Sequence, residues 1–231
     1  MKTILITGNR KGIGRYLSKM LLRQGYFVVG CSRSESDLID ANYLHITCDV
    51  SNSENIKYFF KTIKSKKISI DILINNAGIA SMNHFITTPS KTSQNIFDIN
   101  FQGTLNFSKY SSKMMIKKKW GRIINFSTVA VPLNLEGELS YAASKSAIEI
   151  ATRIMSKELG SFGITVNSIG PNPINTDLIK TLSKDKIENI LANQSIKRLG
   201  EFDDILNIVK FYISDESNFI SGQNIYLGGI C

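Results

Sequence analysis

The stretch TILITGNRKGIG, residues 3–14, opens with a short apolar run and continues into a turn with three glycines. The apolar run predicts a buried strand, and GRYLSKMLLRQG, residues 14–25, has helical periodicity and a C-terminal glycine. Glycines between a strand and a helix permit a tight turn and let backbone N–H groups approach a phosphate at the helix N-terminus. The stretch therefore predicts a strand, a nucleotide-binding turn and a helix, although its spacing is G-x-x-x-G-x-G and not the common G-x-G-x-x-G.

The rest of the chain repeats this alternation of strand runs and helical stretches. Further strand runs are predicted at residues 26–32, 43–50, 70–78, 121–128, 163–171 and 223–229, and helical stretches at 53–67, at about 101–118 and around Tyr141. Strands that are apolar throughout are typical of a parallel sheet covered on both faces. The sequence thus predicts an α/β fold, a single Rossmann-type doubly wound parallel sheet of about seven strands in one domain, residues 1–231. Ligands bind such sheets at the carboxyl ends of the strands.

The composition of the chain excludes several classes of function. The 231 residues are 42% hydrophobic and 20% charged, which is ordinary for a soluble globular protein. No apolar run approaches the roughly 18 residues of a membrane span, and the N-terminal run is too short for a signal peptide. Three cysteines without CxxC spacing favour a reducing compartment, so we expect a cytoplasmic protein with no membrane association. Two scattered histidines, His45 and His84, indicate no metal site.

The net charge of +9 has two interpretations. Much of it lies in two runs, residues 61–67 and 113–120. Such runs can form a nucleic-acid surface, or they can be solvated helix ends, where cations are favoured. Both runs directly precede strand-like segments, which favours helix ends and no nucleic-acid partner. A basic surface also attracts a phosphorylated cofactor.

The segment SYAASKSAIE, residues 140–149, sets Tyr141 four residues before Lys145. On a helix these side chains lie one turn apart on the same face. A nearby cation favours the phenolate, so we expect Lys145 to lower the pKa of Tyr141 toward working pH, as a general acid and base requires. The pair is common on solvated helices, and by itself it does not establish catalysis.

Taken with the glycine turn, the motifs of this chain resemble the short-chain dehydrogenase/reductase family over nearly the whole length. The resemblance lies in their order along the chain: TGNRKGIG (7–14), CDV (48–50), NNAG (75–78), DINFQG (98–103), YAASK (141–145), VNSIGP (166–171), IKRLGEFDDI (196–205) and ISGQNIYLGG (220–229). It implies hydride transfer between a nicotinamide cofactor and a carbonyl or secondary alcohol.

The second strand run indicates which nicotinamide is used. It ends in Ser32 and Arg33, where NAD-preferring folds place an acidic residue for the ribose 2′-hydroxyl. Arg can bind a 2′-phosphate, and Lys11 adds a second cation, so we predict NADP(H). The resemblance implies the remaining cofactor contacts, which are Gly8, Arg10, Gly12, Ile13, Gly14, Asp49, Val50, Asn76, Ala77, Gly78, Tyr141, Lys145, Pro171, Ile174 and Thr176. Asn75 has two interpretations, a place in the turn beside the adenosine ribose or a tie between neighbouring strands.

The catalytic residues are also implied by the resemblance. Tyr141 is the general acid in carbonyl reduction, Lys145 assists it and binds the nicotinamide ribose, and Asn100 holds a water that links Lys145 to solvent. The family has a serine thirteen residues before the tyrosine, and this chain has Thr128 there. Strand alternation predicts that the neighbouring Ser127 points away, so we assign the second donor to Thr128.

The chain also departs from the family pattern near the expected substrate site. Asn172 and Pro173 follow Pro171 where the family has Pro-Gly, and Asn tolerates the left-handed backbone that such a turn uses. Residues 177–198 are expected to form a lid over the substrate, and the resemblance implies that the stretch after Thr128, residues 129–140, also lines the pocket. Asn134, Glu136 and Glu138 either bind a polar substrate or are solvated, so an acyl-carrier thioester, a sugar derivative and a small ketone all remain open.

Two other expectations complete the interpretation. The family packs the helix before Gly121 and the Tyr141 helix across a two-fold axis, so we expect a homodimer or homotetramer, with apolar positions that include Phe107, Met114, Ala147 and Ile154. The alternative function is a nucleotide sensor with weakened catalysis. Thr128 and Asn172 favour it, and the intact Asn100, Tyr141 and Lys145 argue against it.

Overall fold

A computed structural model describes residues 1–174 and 184–230 of the chain. The strands are β1 (Thr3–Thr7), β2 (Phe27–Ser32), β3 (Tyr43–Thr47), β4 (Ile72–Asn75), β5 (Gly121–Phe126), β6 (Ile164–Gly170) and β7 (Asn224–Tyr226). The helices are α1 (Gly12–Arg23), α2 (Ser53–Ser65), α3 (Ser90–Phe97), α4 (Gly103–Lys118), α5 (Leu139–Leu159), α6 (Lys184–Ala192) and α7 (Phe202–Ile213). A π-helical turn, Asp98–Gln102, joins α3 to α4.

All seven strands are parallel and lie in the order β3-β2-β1-β4-β5-β6-β7. Leu5 of β1 pairs with Val29 on one side and with Leu73 on the other. The direction of winding reverses between β1 and β4, and such a reversal opens a crevice at the carboxyl ends of the strands. The doubly wound sheet expected from the sequence is confirmed.

Each face of the sheet has its own apolar core, because successive side chains of a strand point to opposite faces. Ile4 and Ile6 pack into a cluster with α1 and α7, whereas Leu5 packs into a second cluster with α2 and α4. Phe107 lies fully buried in the second cluster, so it is not available for a subunit interface. Ile154, in contrast, is half exposed.

Both lysine-rich runs occur at the ends of helices. Residues 61–67 cover the end of α2, and residues 113–120 the end of α4, where Lys119 adopts a left-handed conformation. Cations at a helix C-terminus interact favourably with its dipole.

Within the two ranges that the structure describes, none of the helices is both long and apolar enough to cross a lipid bilayer. Thr176, Cys231 and the first part of the expected lid lie outside the described residues.

Candidate active site

Two adjoining cavities lie at the carboxyl edge of the sheet. The first has a volume of about 800 Å³ and follows the glycine turn, and the second has about 470 Å³ and contains Tyr141 and Lys145. We call them the dinucleotide cavity and the reaction cavity. They share five lining residues, so they are joined: Ile13, Asn76, Gly78, Ile79 and Ala80.

The glycine turn forms one wall of the dinucleotide cavity. Gly8 has a φ of +69°, and a Cβ there would lie 2.8 Å from the Cα of Ala77, so only glycine fits. Gly12 lines the cavity, but Gly14 does not, because it packs against the Asn76 side chain, where a Cβ would come within 2.6 Å. Gly14 therefore permits the close approach of α1 to the sheet and does not itself face a ligand.

Three cations, Arg10, Lys11 and Arg33, line the same cavity and are exposed. No acidic side chain takes the place of Ser32 or Arg33 at the end of β2. Asp49 lines the cavity as well, although one of its carboxylate oxygens accepts hydrogen bonds from the backbone N–H and hydroxyl of Ser51, at 2.9 and 2.7 Å. Predicted contacts that also line it are Val50, Ala77 and Gly78.

The two asparagines at the end of β4 have different roles in the structure. Asn75 is buried, and its amide donates to the Asn125 side chain at 2.8 Å and to the Ser108 hydroxyl at 3.0 Å. It therefore ties β4 to β5, which is the second of its two interpretations. Asn76 donates to the carbonyls of Thr7 and Gly8, at 2.9 and 3.0 Å, and lines both cavities.

The two hydroxyl residues that follow β5 both line the reaction cavity, but their hydroxyl groups have different neighbours. Thr128 lies beside Tyr141, whose pKa it lowers. The Ser127 hydroxyl instead donates to the carboxylate of Glu149, in the interior. This is the alternation expected from the sequence.

Lys145 is almost fully buried at 4% exposure, and its ammonium donates to the Phe126 carbonyl at 2.7 Å. Burial lowers the pKa of Lys145 to about 8. Burial raises the pKa of Tyr141 to about 12, opposed by the hydrogen bond from Thr128 and reinforced by the charge of Glu138. The expected net lowering of the Tyr141 pKa is therefore absent in this arrangement, because desolvation of the phenol dominates and the Lys145 ammonium lies 6.0 Å from the ring centre.

Asn100 lies in the π-helical turn and is fully buried. Its side chain accepts from the Ile79 N–H at 2.9 Å and donates to the Ile79 carbonyl and the Ser144 hydroxyl, both at 3.0 Å. A Cβ on Gly78 would lie 3.3 Å from the Asn100 amide oxygen and 3.4 Å from the Lys145 nitrogen. Asn100 and Lys145 thus border the same glycine, and Asn100 also fixes the backbone that lines both cavities.

The substrate side of the reaction cavity is mostly apolar. Val129, Ala130 and Leu135 belong to the stretch after Thr128 that the resemblance placed along the pocket, and Ile190 belongs to the expected lid. Sequence analysis missed Ile79, Ala80 and Met82, which carry no polar motif. Glu138 lines the same cavity and is buried, whereas Asn134 and Glu136 are exposed. Only Glu138 of these three is therefore placed to meet a substrate.

The turn after β6 differs from its expected form. Pro171 and Ile174, which were predicted to contact the cofactor, line the reaction cavity. The backbone of Asn172 does not take a left-handed conformation, so that expectation is wrong. Its side chain is buried, and the amide donates to Gln194 at 3.1 Å, which fixes the turn by a side-chain contact.

A chain with this sheet and these joined cavities falls in the class of Rossmann-fold oxidoreductases. A family model described as "Enoyl-(Acyl carrier protein) reductase" matches residues 7–229. The 3-oxoacyl-(acyl-carrier-protein) reductase FabG of Buchnera aphidicola is 34% identical over 99% of this chain and 96% of the relative. The protein of the same name from Escherichia coli K12 is 33% identical with the same coverage. The chain belongs to the short-chain dehydrogenase/reductase family, as its motifs predicted.

Solved structures agree with this assignment. A 4-hydroxyisoleucine dehydrogenase complexed with NADH has a TM-score of 0.93 and 30% identity, covering 99% of this chain and 98% of its own. A gluconate 5-dehydrogenase from Burkholderia cenocepacia J2315, in complex with NADP and tartrate, has a TM-score of 0.90 and 25% identity, covering 99% and 94%.

Proposed function

We propose that the protein is an NADPH-dependent reductase of 3-oxoacyl thioesters, with Tyr141 as the proton donor. The observation that carries the proposal is the reaction cavity itself, in which the Tyr141 and Thr128 side chains meet beside the buried Lys145. The names of the curated relatives support the substrate class.

The dinucleotide cavity fits a phosphorylated nicotinamide cofactor. Gly8 and Gly12 leave room beside the turn, and Arg10, Lys11 and Arg33 supply positive charge for phosphates. Bound NADPH supplies a hydride to the carbonyl carbon. One similar solved structure contains NADH and another contains NADP. The proposed preference for NADPH therefore rests on the residues at the end of β2.

Side chains of the protein donate the proton that the reaction needs and replace it afterwards. As negative charge develops on the carbonyl oxygen, Tyr141 donates its phenolic proton and Thr128 donates a hydrogen bond. Because the pKa of Tyr141 is raised to about 12, the phenol stays protonated at neutral pH and is ready to donate. Lys145 stabilises the phenolate left behind, and Asn100 is proposed to hold the water through which the proton is replaced.

The reaction cavity favours a neutral substrate over an anionic one. Its lining is mostly apolar, and a charge is costly to bury in such surroundings. A thioester carries no charge near the 3-oxo group, whereas a keto acid does. The acyl chain would lie against the apolar wall of the cavity.

The test is NADPH oxidation with a panel of a 3-oxoacyl thioester, a 2-enoyl thioester, a keto sugar and a free keto acid. We expect turnover of the 3-oxoacyl thioester that disappears in Tyr141→Phe. Faster turnover of the enoyl thioester would show that the enzyme reduces a carbon–carbon double bond and not a ketone. Preference for the keto acid would overturn the assignment of a neutral thioester substrate.

A further inference from the structure

A buried carboxylate, Glu149, lies directly behind the reaction cavity and takes no part in the chemistry proposed above. It is 7% exposed and one helical turn beyond Lys145 on α5. A carboxylate is costly to bury unless hydrogen bonds satisfy it. Its Oε1 atom accepts from the Ser127 hydroxyl, from the Tyr226 hydroxyl at 2.6 Å and from the Asn224 amide at 3.4 Å.

These contacts belong to a series that joins α5 to the end of β5. Asn125 donates to the Thr152 hydroxyl at 2.8 Å, and Lys145 donates to the Phe126 carbonyl at 2.7 Å. The next residue, Ser127, donates to Glu149, and Thr128 after it lies beside Tyr141. Three consecutive residues of the chain, 125–127, are thus each held by a hydrogen bond to a side chain on one face of α5.

Ser127 is the residue of this series whose position matters most to its neighbours. The carbonyl of the residue before it, Phe126, accepts a hydrogen bond from Lys145. The residue after it, Thr128, lies beside Tyr141. Rotation of the backbone at Ser127 would therefore displace both groups. A misplacement of about 1 Å in a reacting geometry can cost roughly a hundredfold in rate.

We propose that Glu149 is a positioning residue, which acts through Ser127 to hold Thr128 and Lys145 in register with Tyr141. The inference rests on the proposed roles of Thr128, Tyr141 and Lys145. The competing explanation is that Glu149 only ties α5 to β7 through Tyr226. Each link can be removed separately, because Ser127 follows β5 whereas Tyr226 belongs to β7.

The experiment compares four variants with the wild type: Glu149→Leu, Glu149→Gln, Ser127→Ala and Tyr226→Phe. We measure kcat, KM and cofactor Kd for whichever carbonyl substrate the wild type reduces. Glu149→Leu and Ser127→Ala are expected to lower kcat by about tenfold to a hundredfold, with cofactor Kd nearly unchanged. The double variant Ser127→Ala/Glu149→Leu should lose no more kcat than the worse single variant, because both changes remove the same hydrogen bond between Ser127 and Glu149.

Two controls separate positioning from simple stabilisation. Tyr226→Phe should lower the melting temperature but leave kcat as in the wild type, and Glu149→Gln, which keeps an acceptor oxygen, should restore most of the kcat lost in Glu149→Leu. Equal losses of kcat in Tyr226→Phe and Ser127→Ala would overturn the proposal. The comparison of these two variants also decides it if Glu149→Leu does not fold.

A second readout needs no substrate. The backbone N–H groups of Ser127 and Val129 donate to the carbonyls of Ile169 and Pro171, at 2.7 and 3.1 Å, so their hydrogen exchange reports the order of this strand end. Exchange should accelerate in Ser127→Ala and Glu149→Leu and remain unchanged in Tyr226→Phe. Unchanged exchange in all three would refute the positioning role even if no panel substrate is turned over, whereas an inactive wild type alone would refute only the proposed reaction.

Discussion

The dinucleotide cavity and the reaction cavity share a wall but are built in opposite ways. Arg10, Lys11 and Arg33 line the first from exposed positions beside loops. In the second, Lys145 is buried and donates to the carbonyl at the end of β5, and Thr128 and Tyr141 line the same cavity beside each other. Exposed charges act nearly independently and are screened by salt, whereas buried hydrogen-bonded groups depend on one another.

This difference predicts how substitutions combine. Losses at Lys11 and Arg33 should add, because each contributes its own charge to a solvated site. Losses at Tyr141 and Thr128 should not add, because both groups meet the same oxygen atom. The following predictions test the contrast between the two cavities.

The largest effect is expected for Tyr141→Phe. Loss of the general acid should lower kcat by about 10²- to 10⁴-fold, with little change in the Kd for NADPH. Steady-state kinetics and cofactor fluorescence measure the two quantities. A variant that binds NADPH normally and retains kcat would place the proton donor elsewhere.

Thr128→Val should lower kcat by about 10²- to 10³-fold, since it removes a donor to the developing oxyanion but keeps the shape of the side chain. Ser127→Ala should cost less, because the Ser127 hydroxyl points to Glu149. Thr128→Ser serves as the control that retains the hydroxyl. If Ser127→Ala proved the more damaging change, the role of second donor would move to Ser127.

Arg33→Asp should weaken NADPH binding by about tenfold to a hundredfold and shift the preference toward NADH, because a carboxylate repels the 2′-phosphate. The value of kcat at saturating cofactor should stay within about twofold, since Arg33 lies outside the reaction cavity. Titration of both cofactors checks this. An unchanged ratio of the two Kd values would remove Arg33 from the specificity site.

The smallest effect concerns pH. Lys145 has a pKa lowered to about 8, so its ammonium is present below that pH and is lost above it. Tyr141 stays protonated over the same range, because its pKa is about 12. The kcat for carbonyl reduction should therefore be level up to about pH 8 and fall by about tenfold per unit above it. A rate that stays level to pH 10 would mean that the cation is not required.

The fold could be predicted almost completely, because apolar strand runs, helical periodicity and glycine turns are local signals. The order of these elements predicted a doubly wound sheet, and the motifs at the strand ends predicted where its ligands bind. Gly8, Arg33, Thr128 and Tyr141 all lie at the cavities that the motifs indicated.

The local chemistry could not be predicted as well. The pKa of Tyr141 depends on how deeply the phenol is buried, which the spacing to Lys145 does not encode. The buried Asn172 side chain donates to Gln194, a partner 22 residues away that no local pattern indicates. Gly14 belongs to the glycine motif yet packs against Asn76 and not against the cavity.

By itself, the sequence determined the fold and the family, and it predicted many of the residues that line the two cavities. The tertiary structure decided that the Ser127 hydroxyl binds Glu149, which of the two asparagines at the end of β4 lines the cavities, and that Glu138 and Glu149 are buried. The physical reason is that periodicity and motif order arise from neighbouring residues in the chain. Burial and hydrogen bonding arise where α5, β5 and β7 meet, and those elements are far apart in sequence.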